Sequence, residues 1–164
     1  MKLDVSNVFE NPGMVFEKKL SGPIGSVKFQ GQEFEFNNGA DVTLSYFGDE
    51  EDGITVTGGF EAETTAACDR CLKEFKYTVE FSFTEYYKES PDDTQYKYSG
   101  ETIELGDMLT DNIILNLPTK LLCEQDCKGL CPKCGANLNE GQCGCESEPD
   151  ESNPFYGLKD LIDD

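Results

Sequence analysis

Six of the eight cysteines in this 164-residue chain fall within one 23-residue stretch, spaced Cys123-x3-Cys127-x3-Cys131-x2-Cys134-x8-Cys143-x-Cys145. The other two form a separate pair, Cys68-Asp69-Arg70-Cys71. Short-spaced cysteine pairs put sulfurs within reach of one tetrahedral Zn²⁺, whose Zn–S distance is about 2.3 Å. Eight cysteines would supply two four-thiolate sites with none left over. In Cys131-Pro132-Lys133-Cys134-Gly135, the proline fixes φ and the glycine permits φ > 0 after the second cysteine. Such a turn can aim backbone N–H groups at the sulfurs. Gly141 and Gly144 would let Cys143 and Cys145 approach from a second turn. Cys131, Cys134, Cys143 and Cys145 are therefore the expected C-terminal set, which leaves Cys68, Cys71, Cys123 and Cys127 for a second. That second grouping requires the fold to close the 51 residues between Cys71 and Cys123.

An iron–sulfur centre, disulfides and buried free thiols are the competing readings. Disulfides need an oxidising compartment, whereas the N-terminus meets Asp4 at once and has no apolar run of signal-peptide length. Nor does any stretch approach the roughly 20 apolar residues of a membrane span. A cytoplasmic protein carrying two structural Zn²⁺ is the expectation. Free core cysteines would be scattered along strands, not bunched among Gly, Pro, Lys and Asn.

Charge narrows the partners. Thirty-three acidic residues face thirteen basic ones, for a formal charge of −20, and histidine is absent. A phosphate backbone is bound through cations that release counterions, so so acidic a chain suits a basic protein better, such as a ribosomal protein. Arg70, Lys73, Lys76, Lys120, Lys128 and Lys133 cluster in sequence near the cysteines. They either neutralise thiolate sites or form a small basic face touching RNA.

Between Ser26 and Phe83 the dominant hydrophobic period is two: Val27/Phe29, Phe34/Phe36, Val42/Leu44/Tyr46 and Ile54/Val56 alternate with polar neighbours. Phe75, Tyr77, Val79, Phe81 and Phe83 share one face of the clearest strand. Gly59–Ala67 also reads as extended, which puts Cys68–Cys71 at a hairpin tip. A strand following Cys71 weakens a thiol–disulfide reading, because a thioredoxin-type pair sits at a helix N-terminus. Leu105, Leu109, Ile113 and Leu117 recur at helical steps beside Met108 until Pro118, predicting one amphipathic helix near 104–117. Its Ile113-Ile114-Leu115 run is expected to pack on the sheet.

The predicted fold class is α+β: a β-rich antiparallel core with one main helix, a C-terminal zinc knuckle and a short C-terminal helix. Residues 1–122 form the core, 123–146 the cysteine cluster of the same domain, and 147–164 an acidic linker and tail. In that tail Phe155 and Leu158 share a helical face.

Four segments together resemble the YceD-like family, named for large ribosomal RNA subunit accumulation. They are Cys68-Asp-Arg-Cys71-Leu72, Asp111-Asn-Ile-Ile-Leu-Asn-Leu-Pro118, the Cys123–Cys145 cluster containing Cys127-Lys-Gly-Leu-Cys131-Pro-Lys-Cys134-Gly-Ala-Asn-Leu-Asn139, and Asn153-Pro-Phe155 with Leu158. The resemblance implies a bacterial cytoplasmic protein that supports synthesis, processing or stability of large-subunit ribosomal RNA, with no enzymatic activity. Its partner would be a large-subunit precursor or a basic ribosomal protein. Direct RNA contact would be limited to Arg70, Lys73, Lys76, Lys128 and Lys133, and Phe155 and Leu158 are further candidates for partner contact. The residues agree with a non-enzyme. Lacking histidine, the chain cannot build Ser-His-Asp or Cys-His catalysis or an HExxH helix, and four-thiolate zinc has no open position to activate water. The alternatives are a thiol oxidoreductase or redox sensor using Cys68 and Cys71, and a zinc-ribbon module in transcription.

Overall fold

The computed structural model describes residues 1–49, 53–91 and 95–145. The chain forms two compact units, one from Met1–Asp69 with Lys73–Cys123, the other from Arg70–Leu72 with the chain from Glu124 onward.

In the first unit the elements run β1 (Lys2–Asp4), α1 (Ser6–Glu10), β2 (Phe16–Gly22), β3 (Ser26–Phe29), β4 (Gln32–Glu35), β5 (Ala40–Gly48), β6 (Ile54–Ala67), β7 (Glu74–Lys88), β8 (Tyr96–Lys97), β9 (Thr102–Glu104) and α2 (Gly106–Asn116). Five strands make one sheet in the order β2-β5-β6-β7-β8. Every neighbour pair is antiparallel except β7–β8. The β3–β4 hairpin and the β1–β9 pair form two further small sheets.

Alternation assigns the two sheet faces. Apolar and aromatic side chains at Val42, Leu44, Tyr46, Ile54, Val56, Phe60, Val79 and Phe83 are buried, while the intervening polar positions are exposed or half-buried, the period-2 pattern of a sheet covered on one side. Over that inner face lie β4, against β6, and α2, against β7, and the core continues through Val27, Phe34, Phe36, Met108, Leu109 and Ile113. In β7, Val79 and Phe83 are buried and Phe75, Tyr77 and Phe81 are half-buried on the same face.

The outer face is polar. Directly paired positions there put Asp41 beside Glu61 and Glu61 beside Glu80, a row of three carboxylates across β5, β6 and β7. Like charges directly opposite one another destabilise a sheet. Among the described residues the ion pairs are Lys2–Glu104 and Lys76–Glu63, neither of which relieves that row.

Helix α2 ends where the sequence dictates. Leu117 is extended (φ −67°, ψ 129°), the conformation forced on a residue before proline. Its buried residues are Met108, Leu109, Asn112 and Ile113. The expected packing of the Ile113-Ile114-Leu115 run is corrected at Leu115, which is 79% exposed. Consecutive helical residues are about 100° apart, so three in a row cannot all face the sheet. Asn112 is buried in its place and donates through Nδ2 to the Glu85 carboxylate (2.9 Å) and to Met108 O (3.1 Å). The expected C-terminal helix, with Phe155 and Leu158, lies outside the described residues. No helix among the described residues is long and apolar enough to cross a membrane.

Candidate metal centres

The cysteine pair Cys68–Cys71 occupies the tip between β6 and β7, the two longest strands of the sheet. The tip is closed by the Cys68 N–H, which donates to Lys73 O at 2.9 Å. Asp69, inside the pair, ties the tip to the segment that leads into Cys123. Its N–H donates to Leu121 O (2.8 Å), and its Oδ2 accepts the Leu121 N–H (2.6 Å). Gln32 adds a third tie, donating to Ala67 O and Asp69 Oδ1 while its own Oε1 accepts the Ala67 N–H. Two residues after Leu121 comes Cys123. Sequence spacing held no sign of this tie, because an Asp–backbone pair 52 positions apart leaves no periodic trace.

In the second unit, residues 129–138 form a small hairpin. Leu130 bridges Asn137, the Cys131 N–H donates to Ala136 O (2.8 Å), and the Leu138 N–H donates to Gly129 O (2.9 Å). At its tip the Gly135 N–H returns to Cys131 O (2.8 Å) with Gly135 at φ 72°, a left-handed conformation that glycine adopts without penalty. The Lys133 and Cys134 N–H groups point at the Cys131 sulfur and hold its thiol down at about 6, from an ordinary value of 9.0. The last thiol of the set moves the other way. Cys145, hydrogen-bonded to Cys134 and Cys143 and repelled by their charge, is pushed up to about 12. Four thiols that crowd together thus give up their first proton readily and resist losing the last, the electrostatics of a cradle for a cation.

Two sets of four sulfurs result: Cys68, Cys71, Cys123 and Cys127, and Cys131, Cys134, Cys143 and Cys145. Within each set all four Sγ atoms lie within 4.8 Å of one another. A tetrahedron with Zn–S bonds of about 2.3 Å has edges near 3.8 Å, so both sets fit a tetrahedral metal ion. Each could hold one.

Asn139 is a residue the sequence reading missed as a contributor. Its Nδ2 donates to Cys127 Sγ at 3.3 Å, and its Oδ1 accepts the Lys128 N–H at 2.7 Å. Groups that hydrogen-bond a ligand fix its orientation and tune the site. An asparagine within a cysteine-rich loop was the available signal. Arg70 donates from Nη1 to Cys127 O at 2.8 Å, so its guanidinium is committed to the backbone beside a thiol. Lys76 faces Glu63 at 3.6 Å on the outer face of β7. Lys73, Lys120, Lys128 and Lys133 are exposed.

Comparison with known proteins places the chain. Residues 56–162 match the family described as "Large ribosomal RNA subunit accumulation protein YceD". This chain belongs to that family. Uncharacterized proteins of Mycobacterium bovis and Mycobacterium tuberculosis are 30% identical over 148 residues, covering 84% of this chain and 70% of theirs. A chloroplastic protein of Arabidopsis thaliana, "Large ribosomal RNA subunit accumulation protein YCED homolog 1", is 38% identical over 55 residues, 34% of this chain and 16% of that protein. No solved structure matches the chain.

Proposed function

We propose that this YceD-family protein is a non-enzymatic binding protein, stabilised by two structural Zn²⁺ ions, that supports accumulation of large-subunit ribosomal RNA by associating with a large-subunit precursor in the cytoplasm. The observation that carries the reading is the family match, which spans both Cys68–Cys71 and Cys123–Cys145. Cys131, Cys134, Cys143 and Cys145 would hold one ion, and Cys68, Cys71, Cys123 and Cys127 the other. Zinc with four thiolates supplies folding free energy and no open coordination position, in keeping with a role in binding rather than catalysis.

Contact is mainly with protein. A formal charge of −20 repels a phosphate backbone, and Arg70 and Lys76, two of the five candidate RNA-contacting residues, already have partners within the chain. A basic ribosomal protein fits the charge. The redox alternative is less well supported, since Cys68 and Cys71 are both buried and strand β7 follows them, with no helix N-terminus to lower a thiol pKa.

Elemental analysis of freshly reduced protein should give close to two zinc ions per chain, and the protein should co-sediment with large-subunit precursors. Reversing Arg70 and Lys73 to Glu tests the basic face, and truncation after Pro149 tests Phe155 and Leu158. Absence of zinc, or wild-type protein that never travels with precursors at low salt, would overturn the reading.

A further inference from the structure

Strand β7 runs for 15 residues, Glu74–Lys88, and along most of that length only one of its two sides is paired. Toward β6 every position is matched from Glu74 (opposite Ala67) to Tyr87 (opposite Ile54), with no slip in register. On the other side, among the described residues, β8 pairs with Tyr87 and Lys88 alone.

The backbone groups left over can be assigned. The Cys68 N–H donates to Lys73 O, and an antiparallel ladder repeats such a bonded pair every second residue. Odd-numbered positions of β7 therefore aim their N–H and C=O at β6, and even-numbered positions aim theirs away. The parity holds at the far end, where Lys88 O accepts the Tyr98 N–H at 3.1 Å. From Glu74 to Thr84 the even positions are all exposed, so their outward amides and carbonyls form an open ladder.

Sheet edges are ordinarily blunted by shortness, charge, proline or a bulge. The opposite edge of this sheet, β2, is 7 residues long and carries Glu17, Lys18 and Lys19 in succession, all exposed. Strand β7 has neither proline nor bulge, and its two faces differ. On the inner face Phe75, Tyr77 and Phe81 form an aromatic row that is only half-buried. On the outer face Glu74 and Glu80 flank Lys76, which is engaged by Glu63, and Glu80 ends the carboxylate row that begins at Asp41. A strand laid along this edge meets carboxylates on one face and aromatic rings on the other. Those surroundings select alternating basic and apolar side chains. A second copy of this chain is disfavoured, because each carries a formal charge of −20.

We infer that the open edge of β7, from Glu74 to Thr84, takes up an extended segment of a basic protein as an added strand. Its basic side chains lie beside Glu74 and Glu80, and its apolar ones lie over Phe75, Tyr77 and Phe81. The inference rests on the function proposed above for the source of that segment, a protein of the large-subunit precursor, and names where it docks.

The test uses the full, metal-loaded chain and a fluorescent peptide of about nine residues alternating lysine and valine, which spans most of the edge. Binding should protect the amides of Lys76, Thr78, Glu80 and Ser82 from hydrogen exchange and should weaken as salt is added. Methylating one alternate set of the peptide's amide nitrogens should abolish binding, and methylating the other should leave it intact, because only one set faces β7. Thr78→Pro removes an outward N–H that is unpaired among the described residues, the place where an edge strand tolerates proline. It should bind the peptide at least about tenfold more weakly, keep its metal, and co-sediment less with precursors. Should that variant fail to fold, the methylated peptides make the same test without altering the protein. A lysine–valine peptide that does not bind, or binds whichever amides are methylated, overturns the added strand. A wild-type dimer that Thr78→Pro dissociates would make a second copy the occupant. Peptide binding that appears only after truncation following Pro149 would make the chain's own C-terminus the occupant. Either result overturns the basic partner. Edge-dependent peptide binding by a protein that never travels with precursors would uphold the docking edge and overturn the function proposed above.

Discussion

Removing the Asp69 carboxylate should loosen one metal site and leave the other untouched. Three bonds converge on Asp69: its own N–H to Leu121 O, the Leu121 N–H to Oδ2 at 2.6 Å, and Gln32 Nε2 to Oδ1 at 3.3 Å. Asp69→Ala keeps the first and deletes the other two. A hydrogen bond to a charged group contributes about 1.5–3 kcal/mol. Asp69 is exposed, so the lower end applies, and about 1.4 kcal/mol is a factor of ten in an equilibrium. Because Leu121 positions Cys123, that factor falls on the set Cys68, Cys71, Cys123 and Cys127. Zinc-loaded protein challenged with excess colorimetric chelator should lose its two ions in two phases. In Asp69→Ala one phase should run about tenfold faster. Asp69→Asn, which keeps one carbonyl oxygen to accept the Leu121 N–H, should lie near wild type. Unchanged release from Asp69→Ala, or equal acceleration of both phases, would refute the argument that this carboxylate positions Cys123.

Three further outcomes are expected. Phe81 is half-buried and stacks on Phe60 with ring centroids 4.7 Å apart. Phe81→Ala should therefore cost about 2–3 kcal/mol in urea denaturation, below the range for a fully buried ring, and a cost under about 0.5 kcal/mol would mean the ring adds little. Tyr87 is fully buried, and its hydroxyl has no hydrogen-bond partner among the described residues. Tyr87→Phe should stabilise the protein by about 1 kcal/mol, raising the thermal midpoint by roughly 2–4 °C, and a lowered midpoint would show that the hydroxyl is satisfied after all. With Cys131 held at about 6, its proton is already gone at pH 7.5, so zinc entering the second set should release fewer than four protons, measurable by calorimetry in buffers of different ionisation enthalpy. The sign for the metal-free protein follows from the same shift. The depressed Cys131 value stabilises the fold above the ordinary thiol range, and that contribution is lost as pH falls through about 6.

Elements with local signatures were legible in the sequence. The side chains from Phe75 to Phe83 repeat every second residue, and α2 repeats every fourth, so β7 and the helix could be read directly, as could the hairpin tip between β6 and β7. Elements defined by distant partners were not. Strand β1 exists because Lys2–Asp4 pairs with Thr102–Glu104, and three residues carry no period. Edge strand β2 alternates only weakly, since Phe16 and Leu20 are half-buried and Lys18 between them is exposed. Helix α1 is five residues long with no side-chain cap, too short for a helical stripe. At the metal centres the cysteines were visible because their chemistry is confined to one residue type. The groups that aim them, Asp69, Gln32, Asn139 and the Lys133 and Cys134 N–H groups, act through ordinary polar atoms found everywhere in the chain.

The carboxylate row Asp41–Glu61–Glu80 makes this protein a creature of its ionic surroundings. Paired positions on neighbouring strands are about 5 Å apart, inside the screening length of roughly 8 Å at physiological salt. Monovalent ions therefore soften the repulsion without abolishing it. The sheet is under most stress in dilute buffer and firms as salt is added, the reverse of a protein held together by surface ion pairs. Handled in low-salt solution, it would look more fragile than it is at physiological ionic strength.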